Sequence, residues 1–462
     1  GEVRATGSFR KADSLIGREA GKITLLDILF DLKYDEEDVS VIPIVGFGGI
    51  GKTTLAQHIF NDKTVQEHFN IVKWACVSVI NNQKEVMGKT LIALSGENYR
   101  TMEQIQSKIR EAVKDKKFFL VLDDIWDDDR GRWLELFSLL QCGNRGSKII
   151  VTTRSDVVAA NVGTIPEAYK LGLLTNEESW SLFQKLAFKE GKEERNPNFA
   201  QIGKLIVENC RNVPLAIKVV GSLLYSLHTE KEWEVFRKTQ FSKAKLSDHS
   251  DIMPVLKLSY DYLPLSLKPC FAYCSLFPKD YKFKSTELVQ LWMAQGFVEP
   301  LEESLGMEDV GGHYFLELLR RNVFQNVEED ELTNVSSFKM HDLIHDLAQR
   351  VAGDEIFIFE GSSVHFTNRL VHVNANSGEA LMEDYPSFLH AKNLRSLLIN
   401  WDSWGITKVP LKKVVLGFRS LRVLDSWGIE VIPNSIGRLI HLRYINFSNS
   451  DIKYLPSGIT RL

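Results

Sequence analysis

Gly46-Phe47-Gly48-Gly49-Ile50-Gly51-Lys52-Thr53-Thr54 is the stretch on which the reading of this chain turns. It follows a compact apolar run at 41–45 and opens a stretch, 55–60, with the apolar spacing of a helix. The pattern G-x-x-x-x-G-K-T in a strand–loop–helix setting is that of a phosphate-cradling loop. Glycines let successive backbone N–H groups wrap phosphate oxygens, and the helix N-terminus adds positive potential. On that reading Gly46, Gly48, Gly49, Ile50, Gly51 and Thr54 line the cradle. Lys52 reaches the β- and γ-phosphates of a nucleotide, and the Thr53 hydroxyl ligates Mg²⁺.

Working outward, three more β-like runs occur at 71–79, 118–122 and 148–153, separated by helical stretches. That alternation predicts a parallel sheet with crossover helices. The third run ends in Asp123-Asp124. Paired acids at a strand end are often only a solvated turn, but downstream of a phosphate loop they carry chemistry. Asp123 is expected to hold Mg²⁺, and Asp124 to orient or deprotonate a water. Asp127, Asp128 and Asp129 read as a solvated turn. Thr152-Thr153-Arg154 closes the fourth run on the phosphate side, where Arg154 can sense a γ-phosphate through charge-assisted hydrogen bonds.

Composition bounds the rest. The 462 residues are 44% hydrophobic and 25% charged, which suits a folded chain of about three domains rather than disorder. Lys and Arg total 56 against 60 Asp and Glu, a net charge of −4, so no global basic field advertises nucleic acid. Five cysteines, at 76, 142, 210, 270 and 274, are too scattered for a disulfide framework and point to a reducing, cytoplasmic setting. No apolar run approaches the ~18 residues of a membrane span. Gly1 to Arg10 has neither an apolar signal core nor an initiator Met, which reads as a fragment of a longer protein.

From about residue 170 the texture turns helical. Thr175 and Glu178 form a capping box ahead of Trp180, Phe183, Leu186 and Ala187. Helical spacing continues at 199–207 and 214–227, and the polar stretch 238–250 marks a boundary. Three short helices are expected at 252–263, 268–277 and 287–297, then a strand leading into a helix over 331–341. Leu288, Leu291 and Trp292 read as core, and Cys270 and Cys274 as buried, inert thiols. His341 and His345 stand at i and i+4, but two histidines leave a zinc site short, so His345 reads as structural.

Beyond 390 the chain repeats. Ala391, Phe418 and Leu439 each begin a leucine ladder, at intervals of 27 and 21 residues, with Ile432-Pro433 echoed by Leu455-Pro456. That period matches a leucine-rich solenoid, in which each repeat needs neighbours to bury its face. The array is expected to continue past Leu462.

Taken together, several motifs resemble plant nucleotide-binding leucine-rich-repeat immune receptors. They are the phosphate loop, Lys73-Trp74-Ala75-Cys76-Val77-Ser78, Leu122-Asp123-Asp124-Ile125-Trp126, Gly146 through Arg154, Pro214-Leu215-Ala216, Cys270 through Pro278 and Met340-His341-Asp342. Trp126 resembles the class with an N-terminal coiled coil. The resemblance implies a multidomain α/β plus α chain: linker 1–14, P-loop domain 15–170, helical bundle 171–245, winged helix 246–360, and the start of the solenoid at 361–462. It implies an ATPase switch of weak turnover, closed by ADP and opened by ATP exchange. Its partners would be a pathogen effector or a guarded host protein, its own solenoid, and further copies of the full-length chain after activation. By the same resemblance Ile16, Gly17 and Arg18 border the adenine, Pro214 packs on the base, and His341 reaches the ADP β-phosphate, supported by Asp342. The family has Gly-Leu where this chain has Asn212-Val213; Asn tolerates the left-handed conformation such a turn needs. The competing reading is an AAA-like ATPase with a DNA-binding winged helix. Residues 255–300 hold five lysines against four acids, too balanced for a phosphate-gripping face.

Overall fold

The computed structural model describes residues 16–35, 38–77, 83–99, 101–188, 197–241, 251–299, 306–329, 336–359, 369–375, 391–399, 411–427, 429–448 and 450–462. The expected linker at 1–14 and most of the polar boundary at 238–250 lie outside them. Two compact units result, one running to Ser259 and the other Tyr260–Leu462.

The first unit is built on a parallel sheet in the order β2-β3-β4-β1-β5. Its strands are β1 (Val39–Val45), β2 (Ile71–Cys76), β3 (Phe118–Asp123), β4 (Ser147–Thr153) and β5 (Tyr169–Lys170). Every residue of β1, β3 and β4 is buried, as continuous apolar runs covered on both faces require. α1 (Glu19–Phe30) precedes the first strand, and crossovers are made by α2 (Lys52–Phe60), α3 (Lys63–His68), α4 (Gln83–Ser95), α5 (Met102–Val113), α6 (Arg130–Leu140) and α7 (Asp156–Val162). One core joins Leu25 and Leu29 of α1, Leu55 and Ile59 of α2, and Ile42, Ile44, Val121 and Ile150 of the sheet. Each such side chain contributes about 1.5–3 kcal/mol on burial. Pro43 is tolerated within β1 because β5 covers only Ile44 and Val45, so the missing N–H interrupts no ladder there. Register brings Val45 beside Thr153 and Cys76 beside Asp123, which gathers the chemistry-bearing strand ends on one rim.

Helices α8 (Asn176–Ala187), α9 (Pro197–Asn209), α10 (Pro214–Tyr225) and α11 (Glu230–Val235) follow. The Thr175–Glu178 capping box forms, and a second, Thr229 with Glu232, opens α11. Trp233 is the aromatic centre of this bundle, against Phe183, Phe188 and Phe199. The boundary between units falls inside α12 (Met253–Asp261).

In the second unit α13 (Leu267–Tyr273), α14 (Ser285–Gln295), α15 (Met307–Arg320) and α16 (Asp342–Ala352) surround a three-stranded sheet. That sheet holds β6 (Phe283–Lys284), β7 (Phe324–Glu329) and β8 (Ser336–Met340), in the order β6-β8-β7. Phe283, Phe315, Phe324 and Phe338 form its aromatic core. A parallel five-stranded sheet follows: β9 (Ile356–Phe359), β10 (His372–Ala375), β11 (Ser396–Ile399), β12 (Val423–Ser426) and β13 (Tyr444–Asn446). Val373, Leu397, Leu424 and Ile445 stand in register on its inner face, and α17 (Leu411–Gly417) packs Val414 and Val415 into the same core. The ladder thus begins at Ile356, ahead of the repeats visible from Ala391 and inside the segment expected to close the winged helix. Ile356–Phe359 is a short apolar run and His372–Ala375 alternates polar with apolar residues, and neither has the L-x-x-L spacing that marks the later rungs.

Candidate nucleotide site

The loop after β1 is shaped by its glycines. Gly49 and Gly51 take φ of +80° and +104°, and Gly51 leads directly into α2. Lys52 is buried, and its Nζ donates to the carbonyls of Gly46 at 2.6 Å and Phe47 at 3.2 Å, so the ammonium sits inside the loop's own curve. Arg18 crosses from the segment before α1. Its Nη2 donates to Ile50 O at 2.6 Å and its Nη1 to Gly17 O at 3.1 Å. Burial lowers the Arg18 guanidinium from its ordinary pKa, opposed by Glu178, Tyr169 and Glu19. Gly17 is held at φ +71° with Leu174 and Glu178 packed where a side chain would be. Arg18 thus reaches the edge of the phosphate loop from beside Gly17.

The acidic strand end lies alongside. Thr53 Oγ1 donates to Asp123 Oδ1 at 3.1 Å, which joins the two residues expected to hold Mg²⁺. Asp123 is 6% exposed and also accepts from the Thr152 hydroxyl. Thr152 Oγ1 in turn accepts the N–H of Asp124 at 2.8 Å. This threonine fixes both aspartates, and sequence reasoning missed it. Asp124 itself takes φ +60°, a costly conformation for a side-chain-bearing residue, which sets its carboxylate off the strand line. Trp126 Nε1 donates to Asp124 Oδ2 at 2.8 Å, and Arg154 Nε stands 3.7 Å from Asp124 Oδ1. Asp129 is not simply a solvated acid: it caps α6 by accepting from Gly131 and Arg132, and Arg132 pairs with Asp127 and Asp129.

From the helical side, Leu215 N donates to Gly49 O at 3.2 Å, which ties the start of α10 to the phosphate loop. Pro214 is the first residue of α10 and is buried, a position where its fixed φ suits the helix and no N–H is missed. The turn before it is intact. Asn212 takes φ +61°, accepts from Ser179 Oγ at 2.9 Å and donates to Asn176 Oδ1 at 3.0 Å. Asn thus fills the left-handed position where the resembling family has Gly, and adds two side-chain bonds.

His341 and Asp342 belong to the second unit. His341 is the N-cap of α16, its Nδ1 accepting the Leu343 N–H at 3.1 Å. Asp342 is the first helical residue, and the cap itself is His341, whose ring nitrogen reaches the backbone. Asp342 complements the helix dipole from the first turn. His345 is buried with Nε2 on the Phe277 carbonyl at 2.7 Å, and burial lowers its pKa, a structural role. Burial raises the Cys270 and Cys274 thiols well above their ordinary pKa, which leaves them inert at neutral pH.

Residues 24–193 match the NB-ARC domain, and residues 276–348 match the disease resistance protein winged helix domain. Putative disease resistance protein RGA1 of Solanum bulbocastanum is 36% identical over 452 residues, covering 97% of this chain and 43% of that protein. Putative disease resistance protein RGA4 of the same plant is 37% identical over 460 residues, covering 99% and 41%. The chain therefore spans about two fifths of the length of these curated relatives. Among solved structures, a signal transduction ATPase with numerous domains from Pyrococcus horikoshii aligns with TM-score 0.43 and 17% identity, covering 72% of this chain and 42% of that one. That likeness is too loose to carry a functional argument. The chain thus carries an NB-ARC domain followed by a disease resistance winged helix domain, and over nearly its whole length it is similar to plant disease resistance proteins.

Proposed function

We propose that this chain is the switch module of an immune receptor, which binds ADP at rest and exchanges it for ATP after a pathogen is perceived. The observation that carries the proposal is the joint construction of the rim. Lys52 sits inside the glycine loop, Thr53 bonds to Asp123, and Asp124 faces Arg154. These donors fit a nucleoside phosphate with Mg²⁺. Backbone N–H groups and one ammonium suit the phosphates, and a hydroxyl beside a carboxylate suits a hard cation.

In this reading Thr53 and Asp123 hold Mg²⁺, which neutralises charge on the phosphate oxygens. Lys52 grips the phosphates, and Asp124 orients a water for slow hydrolysis. Arg154 reads whether a γ-phosphate is there. Ile16, Gly17, Arg18 and Pro214 frame the base. His341 donates to the ADP β-phosphate from the winged helix and so couples nucleotide state to domain arrangement. The cap is consistent with that role: with Nδ1 accepting the Leu343 N–H, the neutral ring carries its proton on Nε2. A pathogen effector or a guarded host protein would be the trigger, in the cytoplasm, with self-association of the full-length chain as the output. No helix among the described residues is long and apolar enough to cross a membrane. The family matches and relatives favour this reading over a DNA-binding ATPase.

The test is to denature purified protein and identify the released nucleotide. ADP at close to one per chain supports the resting switch; protein that is folded yet free of nucleotide refutes it.

A further inference from the structure

Trp126 is 46% exposed, unusual for so large a ring, yet both of its functional parts are engaged. Its indole N–H donates to Asp124 Oδ2 at 2.8 Å, and its face carries the Arg154 guanidinium 4.5 Å from the ring centroid. Arg154 in turn approaches the other carboxylate oxygen, Oδ1, at 3.7 Å, an ion pair without a hydrogen bond. Three side chains thus close a triangle at the rim, and Asp124 has one oxygen on each of its two partners. Trp126 also lines a small cavity with Val77, Met87 and Trp133.

We infer that Trp126 is a positioning residue, which pins Oδ2 of Asp124 so that Oδ1 is the oxygen offered to water once Arg154 turns to a γ-phosphate. The two contacts differ in kind. The indole bond is short and directional, while the ion pair is long and the cation–π contact tolerates sliding. When an anion draws the guanidinium away, the carboxylate loses the looser contact and keeps the fixed one. Trp126 then holds the rotation of the carboxylate, already set off the strand by the positive φ of Asp124. The alternative is that Trp126 only shields the small cavity behind it. In that case its N–H would be interchangeable with any aromatic edge.

This inference rests on Asp124 being the water-orienting residue, so the test is a double-mutant cycle in which the two can fail separately. Single-turnover hydrolysis of radiolabelled ATP is measured on the full chain, with KM, for Trp126→Phe, Asp124→Ala and the pair. Trp126→Phe keeps an aromatic face for Arg154 and removes only the donor. Losing one orienting bond should lower the rate about tenfold, a fraction of what general-base assistance supplies, with KM unchanged. In the Asp124→Ala background the same substitution should have no further effect. Additive losses, a change confined to KM, or parent-like hydrolysis by Trp126→Phe overturns the proposal alone. Parent-like hydrolysis by Asp124→Ala overturns the reading of Asp124 beneath it. Melting curves for each variant exclude a folding loss as the source, and Trp126→His, which restores a ring N–H, should recover part of the rate.

Discussion

Gly49→Ala probes whether the phosphate loop and the start of α10 are built as one piece. Two effects follow from the structure. The backbone at Gly49 has φ +80°, where an L-residue costs about 1–2 kcal/mol. An added Cβ would also lie 2.9 Å from Leu215 Cβ and 3.0 Å from Ile252 Cδ1. Leu215 Cβ cannot swing aside as a side-chain tip could, because it is fixed to a helix with ten buried residues. Overpacking of that kind costs about 1–3 kcal/mol, so the sum is about 2–5 kcal/mol. If the loop moves to relieve the contact, it breaks the Leu215 N–Gly49 O bond and splays the cradle. The penalty then appears as lost affinity, about thirtyfold or more for ADP. Gly96→Ala is the control: it also has positive φ, +75°, but nothing lies within 4 Å of the added Cβ. It should cost only the backbone strain and leave nucleotide binding intact. The assay pairs thermal melting with titration of a fluorescent ADP analogue. Equal ADP affinity and equal melting for Gly49→Ala and its parent would refute the coupling of loop and helix; equal losses in both variants would assign the effect to strain alone.

Lys52→Arg should lose nucleotide despite the retained charge, since a planar guanidinium cannot repeat the two carbonyl contacts made by the ammonium; nucleotide content of the purified variant checks it. Asp124→Ala should still bind ATP with Mg²⁺, because Thr53 and Asp123 remain, yet hydrolyse it at least tenfold more slowly; loss of Mg²⁺ binding instead would reverse the roles of the two aspartates. His341→Ala and Asp342→Val should each speed ADP release, by about tenfold or more for the loss of a charge-assisted hydrogen bond of ~1.5–3 kcal/mol in the case of His341. Because His341 also caps α16, its loss costs about 1 kcal/mol of helix stability, so His341→Asn, which can keep the cap, separates the two roles in paired off-rate and melting measurements. Asp425, buried with one oxygen unpaired, has its pKa pushed up to about 6 chiefly by that burial. A carboxyl raised in the folded state stabilises it most below its unfolded pKa near 4, and that contribution is lost as pH rises through about 6. Asp425→Asn should therefore flatten the pH dependence of melting between about 4 and 7 and raise stability at pH 7 by ~1–3 kcal/mol.

Features built from a continuous stretch of chain were legible beforehand. The glycine loop, the buried runs of β1, β3 and β4, and the Thr175–Glu178 box are local patterns, and each folds as its spacing demands. Asp129 could have been recognised too, since an Asp ahead of the helical spacing of Trp133 and Leu136 is a cap signal. His341 could not, because a histidine N-cap lies outside the residue types on which such signals rest. The larger omissions are contacts made by register rather than by neighbourhood. Leu122 pairs with Val151, and only that alignment of β3 with β4 sets Thr152 beside Asp123 and the Asp124 N–H. A slip of one residue would turn Thr152 to the other face of the sheet and leave both aspartates without it. Arg18 reaches Ile50 across 32 residues by the same logic of placement. A motif names the groups that can carry the chemistry, whereas strand register decides which oxygen faces which donor. The placement of both aspartates therefore depends on the hydroxyl of a neighbouring strand as much as on the motif that revealed them.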